Sequence, residues 1–402
     1  MRIEEISEDK FNEFCNGFEE KSIYQTSAYA HVMQNQKFNY FYIGFYNDYK
    51  LIGASLIFRN KSLAFAPRGF LIDYSIPSFN KYILMLKKFL DKKNISKVIF
   101  SPMITKSFNN EDINSNYKEL YNKLNLNTCK HLGYNNNFET IKPRFEAVLN
   151  IDKDFNELFN NIKKEYRTKI RKADKLGIKV YKGDIDTLDV MYEQIKHKYP
   201  REENYFKDCF EYFTDSQMYY TVLDPSEYLN IAKKNFEKQD EICYKINESI
   251  LNPNKKNSKL LIQKKMVNDN LLNIYKKELA KAIDLNKKYK DNIITSTAYC
   301  IVLGDTVYLF MDGYNKEFKN YNSKHLLIWK LIERFSQLGY KKFNFGGITN
   351  PENHDKKYNG LNNFKLNFGC DVIEYIGDFE ITCNNLKFVI NNPNNAFDIL
   401  KK

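Results

Sequence analysis

The chain has 402 residues, 43% apolar and 15% aromatic, with 62 Lys and Arg against 50 Asp and Glu, a net charge of +12. That composition excludes a disordered chain and that length exceeds one ordinary core, so two or more folded domains are expected; the positive surplus favours nucleic acid, nucleotide-linked sugars or an anionic membrane surface as partners. Seven scattered cysteines without a Cys-x-x-Cys, and five histidines without ligand spacing, exclude a disulfide scaffold and a zinc module.

The first nine residues, Met1 to Asp9, are acidic and carry no apolar core, so no secretory signal is read there. No run approaches the roughly 18 apolar residues that a membrane-spanning helix needs, and the chain is read as cytoplasmic, with peripheral contact at the inner membrane face as its membrane option. Thr26 or Ser27 caps a helix running through Met33. Two aromatic and β-branched runs, Phe38 to Tyr46 and Leu51 to Phe58, flank Asn47-Asp48 and predict a hairpin. Beyond the strand at Leu63 the turn Pro67-Arg68-Gly69 leads to Asp73-Tyr74. A helix over about 77–93 and the strand Val98-Ile99-Phe100 follow. Hairpins, helix and strand in that order predict an acetyltransferase-like α/β unit. Acetyl-CoA enzymes of that fold need an Arg/Gln-x-x-Gly-x-Gly/Ala loop to cradle pyrophosphate at a helix N-terminus. The sequence contains none, so no cofactor is expected.

Residues 155–182 hold the strongest basic helix, with Gly177 as its C-cap and Ile178-Lys179-Val180-Tyr181 as the strand that follows. Ile162, Tyr166, Ile170 and Ala173 form its buried stripe, and Lys164, Arg167, Arg171 and Lys175 a basic stripe at i, i+3, i+7, i+11. Between 163 and 182 there are nine Lys and Arg and two Asp and Glu. A merely solvated face would mix signs and gain i, i+4 pairs; this one-sided face reads equally as a phosphate contact. Arg201 and Tyr205 follow between two helices. An arginine there either faces water or grips two phosphate oxygens with its planar fork.

Residues 225–290 interrupt a sheet with a different pattern. Leu229, Ala232, Phe236, Gln239, Cys243, Ile246 and Ile250 step by three and four, a heptad seam with one polar break. A turn at 252–258 joins a second helix, about 259–288, whose apolar side is Leu271, Leu272, Ile274, Tyr275, Leu279 and Ala282. This antiparallel hairpin carries 15 lysines against eight acidic residues. It is a structural arm, a dimer contact, or a basic lever against a polyanion such as tRNA. Strands resume at Ile293 to Leu303 and Thr306 to Asp312. Ser323 caps a helix to about Leu338, Gly339 ends it, and Tyr340 to Gly346 form a strand. The hairpin–helix–strand order thus occurs twice. The expected fold is α/β with two acetyltransferase-like mixed-sheet halves: 1–150, then 151–224 with 291–402, with 225–290 as the inserted hairpin.

Near the C-terminus, glycines bracket the segment from Gly360 to Gly369. Leu361, Phe364 and Phe368 recur at i, i+3, i+7, one apolar helix face. Lys365 lies at its edge, where a lysine stem can cross apolar surface and deliver charge to a cleft, or simply reach water. The pattern Gly-Leu-x-x-Phe-Lys-x-x-Phe-Gly, followed by Glu374-Tyr375-Ile376-Gly377-Asp378-Phe379, resembles the C-terminal signature of the Fem family. These are aminoacyl-tRNA-dependent transferases that build peptidoglycan interpeptide bridges. Tyr-Arg-x-Lys-Ile-Arg-Lys-Ala at 166–173 also resembles the family, as do the Pro-Arg-Gly turn with Asp73 and, for FemA-like members, an inserted coiled-coil arm. Two departures stand out: Met33 where members carry a lysine thought to hold phosphate, and Tyr199 where they carry threonine.

The resemblance implies transfer of an aminoacyl group from aminoacyl-tRNA to a stem-peptide amine of a peptidoglycan precursor. That precursor is lipid II or UDP-MurNAc-pentapeptide, the lipid-linked form being favoured. Such a reaction needs aligned substrates and a stabilised oxyanion, with no metal or covalent enzyme nucleophile. The resemblance implies Lys365 with Phe364 at the reaction centre, Asp73 as a candidate base, and Arg68, Arg201 and Tyr205 on the precursor. Lys164, Arg167, Arg171 and Lys175 would meet tRNA phosphate or the anionic membrane surface. The alternatives are an acyltransferase of this fold with another donor, and a non-catalytic tRNA- or RNA-binding protein.

Overall fold

The computed structural model describes residues 1–112, 115–126, 129–197, 201–251, 259–353 and 355–383. The expected turn at 252–258 and Tyr199 lie outside them. The chain opens with β1 (Arg2–Ile6), α1 (Glu8–Gly17), α2 (Ser27–Asn35) and the hairpin β2 (Asn39–Asn47), β3 (Lys50–Asn60). β4 (Leu63–Ala66), β5 (Leu71–Ile72), α3 (Phe79–Lys92) and β6 (Lys97–Phe100) follow. Then come β7 (Thr105–Phe108), β8 (Glu111–Asp112), α4 (Ser115–Leu126), β9 (Cys129–His131) and β10 (Phe145–Asn150). α5 (Phe155–Asn161), α6 (Lys164–Lys175), β11 (Lys179–Gly183), α7 (Asp186–Ile195), α8 (Glu203–Tyr212) and β12 (Ser216–Leu223) lead to the long helices α9 (Pro225–Leu251) and α10 (Lys259–Lys288). β13 (Ile293–Leu303), β14 (Thr306–Tyr314), α11 (Ser323–Gln337), β15 (Lys342–Ile348), α12 (Asn359–Leu366), β16 (Asp371–Tyr375) and β17 (Phe379–Thr382) complete the described chain.

These strands form two mixed sheets. The first runs β1-β2-β3-β4-β6-β17-β9, with β5 also on β3; the second runs β11-β12-β13-β14-β15-β10-β16-β7-β8. Each contains one parallel pair, β4 with β6 and β14 with β15, bridged by a helix packed on the sheet, α3 and α11. Parallel neighbours require such a crossover, whereas every other pair can be antiparallel. The repeat of this unit makes two acetyltransferase-like halves, as the sequence pattern predicts. The halves are stitched together. β7 and β8 come from early in the chain yet close the second sheet, and β17, near the end, inserts between β6 and β9 of the first. A shared core joins Tyr29 of α2 to Phe206 and Cys209 of α8 and Tyr299 of β13.

Three local expectations change. The basic helix is two helices. Asp154 caps α5 by accepting from Asn156 N (2.8 Å), and Ile162 then turns extended to bury its side chain. Lys163 N donates to Asn367 O (3.0 Å), which holds this break beside α12. Ser323 starts α11 but makes no cap bond; Asn322 precedes it at φ 60, a left-handed conformation asparagine tolerates. In the hairpin, the α9 seam is the expected one, but α10 turns Leu271 and Ile274 outward and presents Leu272, Tyr275, Leu279 and Ala282 inward. Positions 272, 275, 279 and 282 share one helical stripe, and 271 and 274 lie about 100° away from it. The polar break is matched across the pair: Gln239 Nε2 donates to Asn268 Oδ1 at 2.9 Å. A buried polar pair in an apolar seam fixes register, because any shift leaves both amides unsatisfied.

Candidate active site

The C-terminal end of β15 and helix α12 build one site. Gly346 sits at φ 76, a conformation that favours glycine. Gly347 presses against Pro143; a Cβ there would lie 2.3 Å from Pro143 Cγ. The β10–β15 ladder carries a bulge between Ala147 and Val148, opposite these glycines. Asn362 clamps α12 onto the loop that follows: its Oδ1 accepts from Thr349 N (3.1 Å) and its Nδ2 donates to Thr349 Oγ1 (2.9 Å). Phe368 anchors the helix in the core with no exposed surface. So placed, Lys365 donates from Nζ to the Gly347 carbonyl at 2.8 Å.

Phe364 stands beside it, ringed by His325 (5.5 Å between centroids), Phe368 (5.5 Å) and Tyr166 (6.3 Å). The Lys324 ammonium lies 4.0 Å over the Phe364 ring and pairs with Asp312 of β14. Burial is the main force on Lys365 and pushes its ammonium down to about 8; Lys324 adds to this, while Asp312 and Glu146 oppose it. Part of the residue stays exposed, while its ammonium is crowded by protein. Burial, with Lys169 and Lys324, likewise drops the His325 imidazole to about 4, and its buried Nδ1 has no hydrogen-bond partner among the described residues. His325 is therefore neutral at physiological pH, and the Lys365–Lys324 pair supplies the local positive charge. A Gly347→Ala variant is expected to lose about 1–3 kcal/mol of stability through overpacking against Pro143 and to displace the carbonyl that holds Lys365. Urea unfolding reads the first effect; a wild-type midpoint would contradict it.

Behind this site lies a buried ion pair. Arg68, in the turn between β4 and β5, donates to Glu146 Oε1 of β10 at 2.5 Å and to Pro143 O at 2.7 Å, with its guanidinium 4.1 Å over Tyr375. Asn344 donates to the other Glu146 oxygen at 2.9 Å. The pair is almost fully enclosed, so Arg68 stands inside the protein, bound by protein groups. Arg201 and Tyr205 are together: the guanidinium lies 3.9 Å over the Tyr205 ring, and Tyr205 is buried. Next to them Lys142, only 3% exposed, places Nζ 3.6 Å over Tyr24 and 3.4 Å from the Tyr29 hydroxyl. Met33 is buried in the core and brings no charge; the ammonium beside Tyr29 comes from Lys142. Glu146 acts electrostatically on both Lys365 and Lys142, so both lie within reach of one buried pair.

The other expected residues lie elsewhere. Asp73 is exposed, and its Oδ1 accepts from Ser75 N and Oγ at 2.8 and 2.6 Å, a local turn. On α6, Lys164, Arg171 and Lys175 are exposed; Arg167 is half-buried and donates to Asn160 Oδ1 at 3.1 Å. A cleft of about 320 Å³ opens near the far side of the β15 loop, lined by Lys106, Tyr134, Arg144, Asn350 and Glu374, with Arg144 paired to Glu374. Lys324, Asp312, Glu146 and Lys142 escaped the sequence reading. For the last two a signal existed: charged residues alternate with Ile141, Phe145, Ala147 and Leu149, and a charge inside an apolar run is the unusual observation.

Two mixed sheets, each with a helix-bridged parallel pair, define a two-unit α/β protein of acetyltransferase-like fold, with Lys365 held beside aromatic rings at the end of one. The model of the FemAB family matches residues 6–393. Lipid II:glycine glycyltransferase of Staphylococcus aureus (strain USA300) is 26% identical over 343 residues, covering 80% of this chain and 77% of that protein. The protein of the same name from strain MSSA476 shares the same identity and coverage. The crystal structure of FemX superposes with a TM-score of 0.72 at 20% identity, over 96% of this chain and 98% of that one, and shows the same fold. The chain belongs to the FemAB family and is a transferase. Among the described residues no helix is long and apolar enough to cross a membrane.

Proposed function

We propose that the chain transfers an aminoacyl group from its tRNA ester to an amine of the stem peptide of a lipid-linked peptidoglycan precursor. The observation that carries this reading is Lys365: a desolvated ammonium held by the Gly347 carbonyl, with Phe364 beside it on a partly exposed helix. The lipid II:glycine glycyltransferases it resembles support the lipid-linked acceptor and favour glycine as the residue moved. The acceptor nitrogen attacks the ester carbonyl. A C–N bond forms, the C–O bond to the ribose breaks, the nitrogen gives up a proton and the ribose oxygen takes one. Negative charge collects on the carbonyl oxygen in between. An ammonium in a water-poor site offsets that charge more strongly than one in water. With its pKa near 8, Lys365 is mostly protonated at neutral pH.

The exposed lysines and arginine of α6 face the donor in this reading, since phosphate contacts give affinity that salt weakens. Replacing both Arg171 and Lys175 by glutamine is expected to weaken binding of charged tRNA and to reduce its log–log salt slope by about two contacts' worth. Filter binding across salt concentrations reads this; an unchanged slope removes α6 from the tRNA surface.

The decisive test is a transfer assay with the purified protein, tRNA charged with one radiolabelled amino acid per reaction, and lipid-linked precursor. Label is expected to reach lipid from glycyl-tRNA and not in Lys365→Ala. No transfer from any charged tRNA, to either the lipid-linked or the nucleotide-linked precursor, overturns the proposal.

A further inference from the structure

The Lys324 ammonium sits in a receptor made by its neighbours. Asp312 of β14 pairs with it, and it stands 4.0 Å over the centre of the Phe364 ring and 5.8 Å over that of Tyr314. A carboxylate with an aromatic face beside it is a general site for an ammonium ion. The pair is mostly enclosed but not sealed: 16% of the Lys324 side chain and 18% of Asp312 remain exposed. Helix formation does not account for the lysine. Lys324 stands in the first turn of α11, where the positive end of the helix dipole disfavours a cation and where no acidic residue is present. Asp312 also acts on Lys365, opposing the loss of its proton, so one carboxylate lies within electrostatic reach of two ammonium groups. The two are held differently. Lys365 is fixed by the Gly347 carbonyl, whereas Lys324 reaches Asp312 on a flexible four-carbon stem from another element.

We propose that Asp312 and the Phe364 ring bind the free α-ammonium of the aminoacyl group, and that Lys324 fills its place until the donor arrives. The inference rests on the aminoacyl-transfer reading above. In an aminoacyl ester the α-nitrogen is two bonds from the carbonyl carbon. Wherever Lys365 meets the carbonyl oxygen, the α-ammonium is therefore close by and needs a partner of its own, because an ammonium taken out of water without a carboxylate is costly. The site offers both charges that the ester needs, a carboxylate for its nitrogen and an ammonium for its oxygen. Of Asp312 and Glu146, which both act on Lys365, Glu146 is held by Arg68 and Asn344, so Asp312 is the carboxylate that can exchange partners. The donor's ammonium displaces that of Lys324, which swings toward water; no covalent bond changes. The site thus selects an ester whose amine is unblocked. An N-acylated donor carries no charge there and leaves the Asp312–Lys324 pair as it is.

Filter binding on the full chain tests this, with tRNA carrying glycine or N-acetylglycine through a 3′ amide, a linkage that is bound but not transferred. Wild type is expected to bind the glycyl form about tenfold more tightly than the acetylated form, the worth of one charge-assisted contact. Asp312→Asn is expected to bind both forms alike, at the level wild type shows for the acetylated one. A variant that merely misfolds loses both forms together, so the kept affinity for the acetylated form is the control. Lys324→Met removes the competing ammonium and is expected to widen the preference. Equal binding of the two forms by wild type, or no binding of either, overturns the proposal whatever the variants do. So does a tenfold preference that survives in Asp312→Asn. Equal weakening of both forms in Lys324→Met assigns that lysine to tRNA phosphate and overturns its part in the site. Transfer assays separate this claim from the one beneath it. Transfer from glycyl-tRNA, with equal binding of the two amides, sinks the ammonium site and leaves the transfer reading standing. An Asp312-dependent preference without transfer to any precursor sinks the transfer reading and leaves the site.

Discussion

Lys365→Ala is expected to lower kcat for aminoacyl transfer by about 10²–10³, the typical effect of removing one oxyanion-stabilising group. The precursor KM should hardly move, because a group that stabilises only the oxyanion acts in the transition state and not on bound precursor. A comparable loss in KM, or full activity, would remove Lys365 from the reaction centre. The pH dependence carries a second signature. Transfer by wild type should fall as pH passes about 8, where the ammonium deprotonates. Lys365→Arg, whose charge persists to much higher pH, should lose that descending limb if it retains activity. Stability moves the other way. The folded pKa lies below the ordinary 10.5, so from about 8 to 10.5 the unfolded chain holds more protons than the folded one, and folding gains stability from this group as pH rises. Lys365→Met abolishes that rise and should be more stable than wild type at neutral pH, a trade expected where a charge is buried for chemistry.

Glu146→Ala is expected to be the most destabilising single change, costing about 3–5 kcal/mol because it strands the Arg68 charge inside the protein. Both side chains are nearly enclosed, 3% and 9% exposed, and Glu146 also accepts from Asn344 and Tyr375. The distinguishing measurement is a double-mutant cycle. Removing both charges, Arg68→Met with Glu146→Met, should recover much of the loss, since no uncompensated ion remains. Chemical unfolding of the four proteins gives the coupling. A Glu146→Ala cost of about 1 kcal/mol or less, in the range of an exposed ion pair, would mean that water reaches the pair. Glu146 bridges the halves as well, joining β10 of the second sheet to the turn that follows β4 of the first. Its loss should therefore broaden the unfolding transition as the two sheets begin to melt apart.

How much was readable depended on the range of the interaction. The α9 seam came from the period of its own residues, and its polar break at Gln239 was visible. Its partner Asn268 was not, because nothing local says which stripe of α10 turns inward. Leu271 and Ile274 are as apolar as Leu272 and Tyr275, and only contact with α9 chose between them. Likewise the run from 155 to 175 reads as one helix from its own pattern. The break at Ile162 is imposed by a bond between Lys163 N and Asn367 O, more than 200 residues apart in sequence.

The site divides in the same way. Lys365 and Phe364 stood out because glycines and an apolar stripe frame them within ten residues. Arg201 and Tyr205 are close in sequence, but Arg201 lies before α8 and Tyr205 within it, so the extended step at Glu202 is what sets the guanidinium over the ring. Arg68 drew notice as a turn residue, yet its partner Glu146 is 78 positions away, and that distance turned an expected ligand contact into a buried structural pair. Lys142, Lys324 and Asp312 gain their roles only from neighbours brought in by sheet pairing and helix crossover. Sequence alone determined the elements, the twofold α/β plan and the charge that any partner must meet, since those follow from periodicity, propensity and composition. Tertiary structure alone decided which charges are buried, which are paired and which are left facing a cavity, because desolvation and Coulomb energy depend on distances that the chain sets only when it closes on itself.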